Sequence, residues 1–209
     1  MTIDYKKAKN KLLTFTLDSE CQSFFEDNNY KLELAYCKLI KDKPKEAKEL
    51  FNAISNSERR AHWGSLVCSI VQNELTPYPS YFEIRNYLEV DLNILINYHK
   101  GDYVEEILNY ADIFASINPE AYKYIGRVLL KNNLNSWAKF FLERGKNFLY
   151  QDPELHILLA ELYIYEKNKE KAQKAVDTCL SLLPHYYPAH RLKQKLTKIW
   201  LGYNFMIHC

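Results

Sequence analysis

The stretch Pro119-Glu120-Ala121-Tyr122…Gly126…Ala138…Leu142 recurs 34 residues later as Pro153-Glu154-Leu155-His156…Ala160…Ala172…Val176. In each copy a small residue is followed 12 positions on by an alanine, and four further on by an apolar residue. A fixed period between about 20 and 50 residues marks a repeat array, whose single unit cannot bury its apolar face and must stack on a neighbour. The matched small residues predict where two antiparallel helices approach most closely, Gly126 opposite Ala138 and Ala160 opposite Ala172. The expected fold is all-α: a right-handed superhelix, or solenoid, of stacked antiparallel helix pairs, roughly six of them over the chain.

Working outward from this core, Asn118-Pro119-Glu120 and Asp152-Pro153-Glu154 both predict a helix start: a capping side chain, a proline whose missing N–H costs nothing, and an acid at the positive helix end. Tyr187-Pro188 predicts a third. Breaks are expected at Lys131-Asn132-Asn133 and Glu166-Lys167-Asn168. Nearer the N-terminus the 12-residue spacing returns as Ala35 to Ala47, with Phe51 four beyond, around a turn at Lys41-Asp42-Lys43. Ala35 to Gly126 is 91 residues, which is no multiple of 34, so the register slips between residues 55 and 118. Helices are expected there over 58–73, 80–88, 90–99 and 102–116, with His99-Lys100-Gly101-Asp102-Tyr103 as an inter-helix turn. The division expected is 1–27 as N-terminal cap helices, 28–118 as degenerate repeats, 119–184 as two clear units and 185–209 as a C-terminal capping helix.

Composition agrees with this reading. Of 209 residues 47% are apolar and only five are glycine, about a third of the usual ~7%. The net charge of +2 argues against a polyanion binder, although no acidic residue follows Asp177. Five cysteines, odd in number and without a C-x-x-C pair, argue against a disulfide framework or a structural zinc site and favour a reducing, cytoplasmic setting. The N-terminus lacks the apolar core of a signal peptide, and the uncharged stretch after Asp177 is broken by Pro184 and Pro188, so no membrane span is expected. Phosphate-binding loops, H-E-x-x-H and G-x-S-x-G are absent from the sequence, and adjacent carboxylates such as Glu105-Glu106 diverge on a helix. No catalytic residue, cofactor or metal is therefore predicted.

Two cationic patterns stand out. Lys123, Arg127 and Lys131 lie on one helix face at spacings of four, a pattern that suits an acidic peptide or simply a solvated face. In the C-terminal helix Leu192, Leu196, Ile199 and Trp200 fall on one side and Arg191, Lys195 and Lys198 on the other. That pattern fits a cap over the last apolar face, or a surface meeting an acidic partner or an anionic membrane.

On Tyr122, Ile125-Gly126, Ala138 and Gly145, then His156, Leu159-Ala160, Tyr163, Ala172, Val176 and Pro184, the chain resembles the tetratricopeptide-repeat proteins. The likeness is good over 119–184 and fair over 30–54. The family has a 34-residue helix–turn–helix unit, and the resemblance implies a superhelix whose first helices line a concave groove for a peptide or partner protein. By position that groove holds Glu120, Lys123, Arg127, Leu130 and Lys131, then Glu154, Ile157, Glu161, Ile164 and Tyr165, then Arg191 and Lys195. A carboxylate clamp found in some members is not complete here: Lys123 and Arg127 match its first positions, but Leu158, Pro188 and Leu192 occupy the remainder. The implied function is a non-enzymatic scaffold or adaptor for a protein or peptide partner. Alternatives are pentatricopeptide-like RNA binding, which near-neutral charge and the lack of a repeated polar column disfavour, and a regulatory or secretion-chaperone helical domain.

Overall fold

The computed structural model describes the backbone of residues 3–206 and the side chains of residues 3–198. Thirteen α-helices and no strand occur among the described residues. The chain divides into two compact units, Met1–Asn118 and Pro119–Cys209, with the boundary at the start of the first clear copy.

The first unit holds α1 (Tyr5–Leu13), α2 (Ser19–Asp27), α3 (Lys31–Ile40), α4 (Pro44–Asn52), α5 (Arg59–Val71), α6 (Tyr81–Asn97), α7 (Gly101–Asn109) and α8 (Ala111–Ile117). Asp18 caps α2 by accepting from the Cys21 amide, as a short acceptor at a helix start should. A capping box opens α6: the Ser80 hydroxyl oxygen accepts from the Glu83 amide while Glu83 accepts from the Ser80 amide. The Tyr98 hydroxyl donates to the Leu12 carbonyl at 3.0 Å, tying α1 to the end of α6.

Two helix boundaries in this unit differ from expectation. Residues 81–97 form one helix, since nothing at Glu89-Val90 breaks a backbone already nucleated by the capping box. Residues 101–117 form two, parted at Tyr110, whose ψ of 1° leaves the α-helical range.

At the centre of the first unit is a buried polar cluster. Asp91 of α6, almost wholly enclosed, accepts from the Trp63 indole N–H at 2.8 Å, the Tyr36 hydroxyl at 3.1 Å and the Arg60 guanidinium. Arg60 lies 5.0 Å from the Tyr36 ring centre and 4.7 Å from that of Tyr87, so its charge meets two π-faces as well as the carboxylate. Burial pushes the Asp91 carboxyl pKa up, against the opposing pull of Arg60, Trp63 and Tyr36. Three helices, α3, α5 and α6, are pinned by this one carboxylate.

The second unit holds α9 (Ala121–Lys131), α10 (Asn135–Gly145), α11 (Pro153–Tyr165), α12 (Lys169–Leu182) and α13 (Tyr187–Met206). Each helix packs on the next, with α9 against α11 and α11 against α13 as well. Asp152 caps α11, accepting from the amides of Glu154 and Leu155, with Pro153 at the first helical position. The matching start at Asn118-Pro119 is displaced: α9 begins at Ala121, and Glu120 stands before it without a side-chain cap.

The helix turns carry the period more faithfully than the core residues do. His99, Asn133 and Lys167, spaced 34 apart, all take left-handed backbone angles, with φ of 58°, 60° and 57°. Each is followed by the same back-reaching bond: Lys100 N–H to Leu95 C=O, Leu134 N–H to Leu129 C=O, Asn168 N–H to Tyr163 C=O, at 2.8, 2.9 and 2.8 Å. This is the Schellman closure of a helix end. The hairpin α6–α7 is thus in register with α9–α10 and α11–α12. Leu92 and Val104 stand there in place of Gly126/Ala160 and Ala138/Ala172, which hid the copy in the sequence. Larger side chains also hold α6 and α7 apart, and they touch over far fewer residues than the two later pairs. Asp42, the equivalent turn residue of α3–α4 (φ 60°), lies 57 before His99, so the slip falls between these two turns.

Close approach within the second unit is visible at Gly126, where Leu142 of α10 comes nearest. A Cβ built on Gly126 falls 2.5 Å from Leu142 Cγ and Cδ2. Ala138, the expected neighbour, is fully buried in the same helix pair, as are Ala160 and Ala172 in the next. Gly126→Ala is expected to destabilise the unit by about 1–2 kcal/mol by denaturant titration, because overpacking outweighs the gain of about 1 kcal/mol in helix propensity. In a Leu142→Ala background the same change is expected to be neutral or favourable; equal costs in both backgrounds would contradict this packing.

Candidate functional site

The first helices of the second unit, α9, α11 and α13, stand side by side. Between α11 and α13 runs a cleft of ≈ 520 Å³ lined by Ile157, Glu161, Tyr187, Pro188, Arg191, Leu192, Gln194, Lys195 and Lys198. Four residues expected in the groove (Ile157, Glu161, Arg191 and Lys195) therefore meet in one place. Ile157 and Leu192 form its apolar floor, while Arg191, Lys195 and Lys198, at i, i+4 and i+7, form one wall. Leu196 and Leu192 belong to the core of the unit, so the apolar side of α13 is covered and its basic side faces the cleft. The side chains of Ile199 and Trp200 lie outside the described residues.

Glu161 is the lone acid of this cleft. It keeps contact with water, yet partial burial raises its carboxyl pKa through desolvation, while Lys195 pulls the other way. A carboxylate so placed offsets only part of the cationic wall, and the cleft carries three positive side chains against one acid. Larger clefts lie on the outer faces of α1 and α12, each lined by residues of a single helix.

The Lys123–Arg127–Lys131 column is arranged differently from the expected basic ladder. Lys123 is buried, 5% exposed, with its ammonium 2.5 Å from Asp152, 3.3 Å from Glu154 and 3.5 Å from Glu120. Arg127 reaches Glu154 as well. The capping acids of α11 lie beside α9 once the helices pack, and they draw the cations inward. The two sequence features, a basic column and an acidic helix start, are halves of one ion cluster. Desolvation lowers the Lys123 pKa, but the Asp152 hydrogen bond and the charges of Asp152, Glu120 and Glu154 outweigh it and leave it raised. Lys131 and Tyr165 lie exposed at the C-terminal ends of α9 and α11.

Cys21, Cys37, Cys68 and Cys179 are free and buried. Burial pushes the thiols of Cys37 and Cys68 up to about 12 and that of Cys179 to about 11, which keeps them protonated and unreactive. Cys209 lies outside the described residues. Among the described residues no three His, Cys, Asp or Glu side chains converge as metal ligands, and no helix is long and apolar enough to cross a membrane.

The architecture defined here is an all-α chain of neighbouring, paired helices with a cationic cleft between two of them. Compared with protein-family models, with curated proteins and with solved structures, the chain has no significant match.

Proposed function

We propose that this protein is a non-enzymatic, tetratricopeptide-like scaffold that holds an acidic segment of a partner protein along α11 and α13. The supporting observation is the cleft itself: an apolar floor of Ile157 and Leu192 beneath Arg191, Lys195 and Lys198, opposed by the single acid Glu161. Carboxylates of an extended peptide would take charge-assisted hydrogen bonds from the wall, and an apolar side chain would seat on the floor. The right-handed superhelix belongs to the same proposal. It requires a solution radius of gyration above the roughly 17 Å of a compact globule of this length, which small-angle scattering measures directly.

Fluorescence anisotropy with a labelled Asp/Glu-rich peptide containing one leucine tests the site. The double variant Arg191→Glu/Lys195→Glu is expected to weaken binding at least 30-fold, and raising salt from 50 to 300 mM is expected to weaken the wild type several-fold. These two residues are exposed, so the unfolding midpoint should hardly move. Unchanged affinity in the double variant, or preference for a basic peptide, sinks the reading.

A further inference from the structure

A second enclosed space lies on a different part of the same unit, where the end of α10 meets α11 and α12. Its volume is ≈ 290 Å³, and Glu143, Lys146, Tyr150, His156, Tyr163, Lys171, Lys174 and Thr178 contribute its polar lining. Three lysines face a single carboxylate. That carboxylate is already engaged: Tyr163 donates its hydroxyl to Glu143 at 2.5 Å, and Lys146 stands 3.7 Å from it. Lys171 lies over the Tyr163 ring, 5.5 Å from its centre, and neither Lys171 nor Lys174 has a carboxylate partner among the described residues.

His156 supplies an independent sign. It is 4% exposed, and its Nε2–H donates to the Tyr150 carbonyl at 2.6 Å, fixing the ring. The other nitrogen, Nδ1, has no hydrogen-bond partner among the described residues and is not one of the orphaned polar atoms sealed from solvent. His156 is thus a buried imidazole held by one nitrogen, with no protein partner for the other among the described residues, in the lining of a hollow that also carries three lysines.

We infer that the hollow at the α10–α11–α12 junction, built from His156, Lys146, Lys171 and Lys174, is a binding site for a phosphoryl group, either free or as the monoester of a small molecule. A tetrahedral dianion offers several acceptors to the three ammonium groups. A phosphoryl hydroxyl can donate to Nδ1, a bond that halides cannot make. The volume suits a compact ligand, just under the range of pockets for drug-sized molecules. This site shares no lining residue with the α11–α13 cleft and stands or falls without it.

Titration of the full chain with inorganic phosphate, and separately with glycerol 2-phosphate, tests the assignment by calorimetry and by nitrogen-15 NMR of the histidine rings. All samples are held at one ionic strength with chloride as the balancing anion. The expected result is saturable binding, a shift of the His156 Nδ1 resonance, and at least tenfold weaker binding in Lys174→Gln and in Lys171→Gln. Arg191→Glu/Lys195→Glu is expected to leave it unchanged. Saturation by both ligands fits a terminal phosphoryl site; phosphate alone restricts it to the free anion. Loss of binding in the Arg191/Lys195 variant, or phosphate shifts that leave His156 unmoved, overturns the inference. His156→Gln provides a further check: phosphate affinity unchanged in a variant of wild-type thermal stability would show that the imidazole plays no part.

Discussion

Asp91→Ala is expected to destabilise the first unit by about 3–5 kcal/mol, the largest effect of any single substitution away from the apolar core. The change strands a cation and two donors at once. Arg60, mostly enclosed and close to the rings of Tyr36 and Tyr87, keeps its charge but loses its counter-ion, and the Trp63 and Tyr36 donors lose their acceptor. A buried pair costs most when one partner is removed alone, because the survivor has already been desolvated. Tyr36→Phe removes one neutral bond only and is expected to cost about 1 kcal/mol. Denaturant titration followed through Trp63 fluorescence reads both values. A loss below 1 kcal/mol for Asp91→Ala would mean that the cluster is solvated and does not hold α3, α5 and α6 together.

Lys123→Met is expected to rank second, at about 3 kcal/mol, and to act on the second unit. Methionine fills much of the volume left by the lysine stem, so the loss reports charge more than packing. Removing the ammonium takes a cation away from Glu120, Asp152 and Glu154, while Arg127 stays paired with Glu154. The cost is smaller than for Asp91 because Asp152 and Glu154 retain contact with water, at 18% and 40% side-chain exposure. The pH dependence gives a second readout. The folded-state pKa of Lys123 lies above its ordinary 10.5, so its contribution is fully present below that value and disappears as pH rises through the folded pKa. Wild-type stability should therefore fall above pH 10.5 by an increment that Lys123→Met lacks. Parallel profiles for the two proteins would show that the cluster contributes no net stability.

The two predictions share a cause that sequence reading has difficulty seeing. Lys123 and Asp152 are 29 residues apart, and Asp91 and Tyr36 are 55 apart. No local period connects them. The helical face of Lys123, Arg127 and Lys131 was legible, and so was the acidic start of α11. What neither reveals is that α9 and α11 lie alongside, which converts a candidate binding surface into an internal tie. The same packing gathers Ile157, Glu161, Arg191 and Lys195 into one cleft and buries Lys123.

The helical content of this chain, most of its breaks, the cap at Asp152, and the buried small residues Gly126, Ala138, Ala160 and Ala172 follow from the sequence alone. They depend on contacts within a few residues or on a period that repeats. The register of the α6–α7 hairpin, the bend at Tyr110, the Asp91 cluster, the fate of Lys123 and the hollow around His156 were decided only by tertiary structure. Each depends on which helix lies beside which, and therefore on the desolvation and charge that one segment imposes on another far along the chain.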